Sequence, residues 1–393
     1  MSELIKTEKL KQDVLVNLVK KLLNNESLKD YFLENAEAIK NITPFDVFSI
    51  PYFQEKFGLD IDKIKAIAGK LMNLLHRSLQ AYPWKKEETS LLMRYLLEEG
   101  EAIKAKFSDF KEFIKDKENV QKKEIFKFLK DFEELEKRFL KMQNIIYPQM
   151  EKKLVNPKPL QIMWSLHDDA KALLLSLREK YKNNAPDLNQ VIGKYFFLVY
   201  GIIEKEELLV LPIASRVLEK EDWETMLKEA ADYGFSFLDL DLRIKHKEKE
   251  TESEFNDLLF NSATGGMALD ELLVVLNRLP VDMTFVDENN KVKYFNNTPD
   301  RIFPRSPSVI GRLVSNCHPP KSVHVVEEIV TEFRKGNKDK AKFWFESRGR
   351  FLVITYYAVR NSKGEYKGVL EVSQDVTEIR SLTGEQKLLN WSK

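Results

Sequence analysis

Met283-Thr284-Phe285-Val286-Asp287 and Val292-Lys293-Tyr294-Phe295-Asn296, separated by Glu288-Asn289-Asn290, decide the fold of the C-terminal part of this chain. Both runs are rich in β-branched and aromatic residues and an Asn-rich turn joins them, so they read as a hairpin. Downstream, Pro299, Pro304, Pro307, Gly311, Pro319 and Pro320 leave room only for short helices. Residues 322–335 carry Val325, Val326, Ile329, Val330 and Phe333 at helical spacing and stop at Gly336. Three strand-like runs follow, 341–346, 351–359 and 368–373, with the turn Asn361-Ser362-Lys363-Gly364 between the last two. Upstream, 269–279 places Leu269, Leu272, Leu273, Leu276 and Leu279 on one helical side and reaches the first strand through Pro280.

Two strands, short helices, one longer helix and three antiparallel strands is the element order of a PAS domain, and the wording agrees. Asp287-Glu288-Asn289 resembles the first PAS turn, and Val309-Ile310-Gly311-Arg312 the approach to the long helix. Gly364-Glu365-Tyr366 leading to Asp375-Val376-Thr377-Glu378-Ile379 resembles the PAS end signature. The resemblance implies a curved five-stranded antiparallel sheet that with its helices encloses a pocket or a packed core. It also implies a sensing or partner-binding role.

At 393 residues the chain exceeds one hydrophobic core. Lys+Arg 63 against Asp+Glu 62 leaves a formal charge of +1, and no basic block stands apart from acidic neighbours, which points away from nucleic acid and anionic membranes. One cysteine, Cys317, excludes a disulfide framework within the chain. The start Met1-Ser2-Glu3-Leu4-Ile5-Lys6 does not read as a signal peptide, and the apolar run 195–203 is too short to span a bilayer, so a cytoplasmic location and no membrane contact are expected. Catalytic motifs are missing: Gly265-Gly266 is isolated, no His-Glu-x-x-His occurs, and no serine sits in a nucleophile elbow, so no enzyme activity is expected. Glu87-Glu88 and Glu98-Glu99 read as charged helix faces.

The expected division is a small helical domain over 1–80, a helical bundle over 84–244, a linker with short strand elements over 245–268, the PAS unit with its leading helix over 269–380, and a tail over 381–393. Residues 9–24 put Leu10, Val14, Leu15, Leu18 and Leu22 on one face, Thr43-Pro44-Phe45-Asp46 is a helix start, and 60–79 carries a further apolar face. Amphipathic spacing predicts helices over 85–105, 107–147 (interrupted between Asp116 and Asn119), 159–183, 185–216 and 221–233. Residues 235–242 alternate like a strand or extended arm, and 245–254 is a charge run read as solvated linker. Leu258-Leu259-Phe260 and Thr264-Gly265-Gly266-Met267-Ala268 predict a strand-and-turn element.

Asn144-Ile145-Ile146-Tyr147-Pro148, Met163-Trp164-Ser165-Leu166-His167-Asp168 and Glu204-Lys205-Glu206-Glu207 with Leu211-Pro212 resemble three segments of a hemerythrin-like (HHE cation-binding) bundle. The whole chain is similar to a prokaryotic family that joins a small helical N-terminal domain, such a bundle and a C-terminal PAS domain. The resemblance implies a di-iron centre of imidazoles and bridging carboxylates. This sequence departs from it: Arg94 and Arg138 stand where histidines would, and Gln143 where a glutamate would. His167, Glu99, Glu206 and Glu207 remain as candidate ligands, and an arginine aimed at Glu99 or Glu207 would replace the metal as an internal charge partner.

In heme-binding PAS domains the iron ligand is typically a histidine on the long helix, which brings forward His324, with His318 and Cys317 close by. Phe285, Tyr294, Phe345 and Tyr357 are candidate pocket aromatics, although strand aromatics are more often core. The expected function is a non-catalytic sensory or regulatory protein without a cofactor, its PAS domain taking a small ligand or a signalling protein partner and its bundle serving as scaffold. The alternatives are an O2, NO or redox sensor using iron at the bundle or heme at the PAS domain, and a structural adaptor without ligand. PAS domains often dimerise through flanking helices, so a homodimer stays open.

Overall fold

The computed structural model describes residues 2–49, 58–84, 90–115, 122–240, 259–347 and 349–387. The chain forms two compact units, 1–244 and 245–393. The first is helical and the second carries the five-stranded sheet, so the layout is the expected one.

In the first unit, Ser2–Leu23, the short helices Lys29–Glu34, Ala36–Lys40 and Pro44–Phe48, and Ile61–Gln80 share one apolar cluster built on Leu15, Leu18, Leu71 and Leu75. The helix Pro44–Phe48 starts where the sequence signals it, with a reciprocal Thr43–Asp46 capping box. A larger cluster fills the interior of Leu91–Lys115, the run from Lys122 to Lys153, Lys158–Lys182, Leu188–Val217 in its segments, and Lys220–Tyr233. At one end its packing is aromatic: Phe107 stacks on Phe132 at 4.6 Å, and Phe110 and Phe196 meet edge to face at 5.3 Å.

The helix expected to end at 105 continues through Lys106 to Lys115, because Phe107 and Phe110 prolong the apolar face of Ile103 and no glycine or proline intervenes. The interruption between Asp116 and Asn119 and the linker 245–254 lie outside the described residues. Instead of a strand, 235–240 makes a tight turn closed by a single Phe235–Leu238 bridge, with Phe237 at φ 58°. Two segments of π geometry interrupt the long helices, at Met142–Ile146 and Glu206–Val210. Each precedes a proline, Pro148 or Pro212, whose ring crowds a carbonyl of the preceding turn and whose nitrogen donates nothing, and the wider turn accommodates both.

The second unit opens with the hairpin β1 (Leu259–Ser262) and β2 (Gly265–Ala268), then the helix Leu269–Arg278. Strands β3 (Asp282–Asp287), β4 (Val292–Phe295), β5 (Lys340–Ser347), β6 (Arg350–Arg360) and β7 (Tyr366–Asp375) form one antiparallel sheet in the order β4-β3-β7-β6-β5. The helix Pro320–Lys335 packs on one face of it. Pairing of Val286 with Val369 and of Tyr356 with Glu371 puts these four side chains on that covered face.

Candidate functional site

Four helices bring a set of ionic side chains into the buried centre of the bundle. Glu99 comes from Leu91–Lys115, Arg138 and Lys141 from Leu135–Lys141, His167 from Lys158–Lys182, and Glu206 opens the π segment. All five are fully buried. Arg138 Nε donates to Glu206 Oε2 at 2.7 Å, and its Nη1 donates to Glu99 Oε2 at 3.2 Å and to the Leu96 carbonyl at 2.5 Å. Lys141 Nζ donates to Glu99 Oε1 at 2.9 Å and to the Gly234 carbonyl at 2.6 Å, and lies 4.3 Å from the Phe235 ring centroid. The Ser236 amide also donates to Glu99 Oε1, at 2.5 Å. The turn at 234–236 that replaces the expected strand therefore caps this cluster.

His167 Nε2 lies 3.0 Å from Glu206 Oε1 and its ring stacks on Phe139 at 4.4 Å. Burial pushes the His167 imidazole below its usual range against the pull of Glu206, so Nε2 carries the hydrogen and donates. Burial works to raise the Glu206 carboxyl, but Arg138 and His167 outweigh it and hold it below the usual range. For Arg138, burial opposes the charge, and Glu206 with Glu99 more than offsets it. The cluster thus balances two carboxylates against one guanidinium and one ammonium, and all four carboxylate oxygens accept hydrogen bonds.

Of the four candidate metal ligands, His167 meets Glu206 directly, and Glu206 meets Glu99 only through Arg138. Glu207 stands apart, paired with Lys104 Nζ at 2.6 Å. Among the described residues no group of three His, Cys, Asp or Glu side chains is placed to hold a metal ion. Arg94 is exposed, and Gln143 is buried with its Oε1 3.4 Å from Lys171 Nζ. The second internal cation is Lys141. Its signal in the sequence is the position three residues after Arg138, between Leu140 and Met142, on a helix face that is buried.

Burial lowers the Lys141 ammonium to about 8 despite the attraction of Glu99, against 10.5 in the unfolded chain. Between those values the unfolded state binds more protons, so stability rises with pH, and below pH 8 the burial penalty is present in full. The unfolding free energy of the protein, measured by urea titration, should therefore climb from pH 8 to pH 10 relative to a Lys141→Met variant, by on the order of 2 kcal/mol. Parallel pH profiles for the two proteins would contradict this assignment.

In the sheet-bearing unit the cavity beneath the helix Pro320–Lys335 measures about 20 Å³ and is lined by Val286, Val326, Val330, Tyr356, Val369 and Glu371 among others. Pairing of Phe285 with Tyr294 and Leu370, and of Leu370 with Tyr357, turns Phe285, Tyr294 and Tyr357 to the opposite face. Phe345 shares the cavity side but sits at the sheet edge, half exposed. His324 is exposed on its helix. Cys317 packs at the margin of the small Val286–Val292–Val309 cluster, and its Sγ is 3.6 Å from the Leu313 carbonyl. His318 is half-buried, and burial depresses its imidazole. The seven candidates therefore do not converge on the cavity. Tyr356 and Glu371 do line it, with Arg305 3.8 Å from Glu371. The charged Glu371 between Leu370 and Val372 was the available sequence signal.

The profile of the PAS domain family matches residues 272–377. None of the curated proteins compared matches the chain. Among solved structures, the C-terminal domain of a Streptococcus mutans protein is 34% identical, covering 33% of this chain and 99% of that one, with a TM-score of 0.31. The PAS domain of a Colwellia psychrerythraea protein is 14% identical over 28% and 98% of the two chains, TM-score 0.23. A sensory box sensor histidine kinase from Vibrio cholerae is 14% identical over 28% and 92%, TM-score 0.22. With the β4-β3-β7-β6-β5 sheet and its covering helix in place, the C-terminal residues 272–377 of this chain are a PAS domain.

Proposed function

We propose that the protein is a non-catalytic sensory or regulatory protein whose PAS domain works by contact with a second copy of the chain. The observation that carries this reading is the contrast between the two faces of the sheet. The covered face encloses about 20 Å³, room for one water. The other face and its edge are open and present aromatic surface: Trp344 is 63% exposed and Tyr357 39%, with Lys340 and Lys342 beside them on β5. Strand β5 is an eight-residue edge strand paired only with β6 among the described residues, and such an edge is a template for another chain. A formal charge of +1 puts little repulsion between copies. The helix Leu269–Arg278 adds exposed Leu273, Val274 and Val275.

In this reading the helical unit is a hemerythrin-like scaffold that keeps no iron. A di-iron centre needs free carboxylate oxygens and several imidazoles, whereas Arg138, Lys141, Ser236 and His167 already occupy the oxygens of Glu99 and Glu206. Heme in the PAS core is disfavoured by the size of the cavity and the outward position of His324. Analytical ultracentrifugation tests the contact. The wild type should dimerise and Trp344→Glu should weaken the dimer by about tenfold or more, since a buried aromatic anchor dominates such interfaces. A wild type that stays monomeric, or a variant that dimerises equally well, would end the proposal.

A further inference from the structure

A second, larger cavity lies within the helical unit, between Ile61–Gln80, Pro44–Phe48, the start of Lys158–Lys182 and the π segment Glu206–Val210. Its volume is about 80 Å³, and Val47, Leu71, Met72, Met163 and Val210 give it an apolar wall. One lining residue breaks that pattern: Lys205, 8% exposed. Its ammonium has three N–H donors and among the described residues makes one hydrogen bond, to the Gly201 carbonyl at 2.9 Å. No carboxylate of the described residues lies within ion-pair distance of it, in contrast to Lys141 in the charge cluster.

An apolar chamber with one buried cation that makes a single hydrogen bond among the described residues is complementary to a ligand that has an aliphatic tail and a carboxylate head. We propose that this cavity binds a short aliphatic carboxylate, its oxygens taking the unused Lys205 donors and its chain filling the space beside Leu71, Met72 and Met163. The volume sets the length: it is about half that of an apolar cavity known to admit benzene, which fits a chain of roughly three to five carbons. An amine of the same length would meet repulsion from Lys205, and an alcohol would gain the apolar contacts without the charge-assisted hydrogen bond. The proposal is independent of the PAS contact surface, because every residue it uses belongs to the 1–244 unit. The cavity also touches Leu209 and Val210, three and four residues beyond Glu206 on the same π segment. An occupant therefore presses on the segment that holds Glu206 against Arg138.

Ligand-detected NMR with butanoate and butan-1-ol on the full chain tests the site. Butanoate should bind the wild type, and Lys205→Met should weaken it by about tenfold or more, while butan-1-ol binds both proteins within about threefold. Ala68→Leu, which fills the chamber and keeps Lys205, should abolish both signals, with the far-ultraviolet spectrum confirming that each variant is folded. Absence of butanoate binding to the wild type overturns the proposal. So does undiminished butanoate binding by either variant.

Discussion

Replacing Arg138 with methionine should destabilise the helical unit by about 3–5 kcal/mol, the range seen when one partner of a buried ion pair is removed. The reason is arithmetic of charge. Among the described residues Arg138 is the only group that touches both Glu99 and Glu206, and without it Glu206 keeps only neutral neighbours, the His167 imidazole and the Tyr147 phenol. Two carboxylates and one ammonium would then share a buried core, and Glu206 would have to take up a proton to remain there. Urea denaturation followed by far-ultraviolet circular dichroism measures the loss. A companion variant, Arg138→Met and Lys141→Met with Glu99→Gln and Glu206→Gln, removes the two cations and the two carboxylates together and should recover a large part of it, as hydrophobic or neutral replacements of buried ion networks commonly do. The same titration repeated with ferrous iron present addresses the scaffold reading, since a ligand bound only to the folded state raises the midpoint. No rise is expected for the wild type. An iron-dependent rise, or an Arg138→Met protein as stable as the wild type, would show that the guanidinium is not the internal partner of these carboxylates.

The second large effect is expected at Gly368, and it is confined to the PAS domain. This residue has φ +139°, and a Cβ there would lie 2.0 Å from the Val286 carbonyl oxygen and 3.0 Å from its carbon. Those atoms belong to the backbone of β3, paired with β7 through Asp287–Gly368 and Val286–Val369, so they cannot withdraw without opening the sheet. Gly368→Ala should therefore cost about 3 kcal/mol or more, from backbone strain together with lost ladder hydrogen bonds. Gly364 makes the comparison sharp. It too has positive φ, +80°, but a Cβ added there would meet nothing within 4 Å, so Gly364→Ala should cost only about 1 kcal/mol. Hydrogen exchange resolved by segment is the suitable measurement: protection should fall across β3 and β7 in Gly368→Ala and stay unchanged across the helices of the 1–244 unit. Equal loss for the two glycine variants would mean that conformation, and not the close approach of β3, sets the cost.

The two units differ in how far their sequences disclose their structures. In the PAS part, Met283–Asp287, the Asn-rich turn and the three closing strand runs are local signals, and the sheet they imply is the one found. Which aromatic faces inward is not legible in the same way. Tyr356 and Tyr357 are adjacent and chemically equal, and only the pairing of Tyr356 with Glu371 turns the first toward the cavity and the second away. In the helical part, amphipathic spacing locates the helices, and His167, Glu99 and Glu206 stand out as polar groups on buried faces. Their partners do not. Arg94 and Arg138 look equivalent as replaced histidines, yet the first is exposed and the second is the centre of the cluster.

The sequence by itself determined the order of strands and helices and the PAS character of residues 272–377, because hydrophobic periodicity, turn residues and caps act over a few residues at a time. Tertiary structure alone decided which charges neutralise which. Arg138 and Glu206 are 68 residues apart, and the Ser236 amide and Glu99 are 137 apart. Contacts at such separations depend on the rotation of each helix about its axis and on the extra residue that each π segment inserts, quantities that no local pattern of side chains encodes.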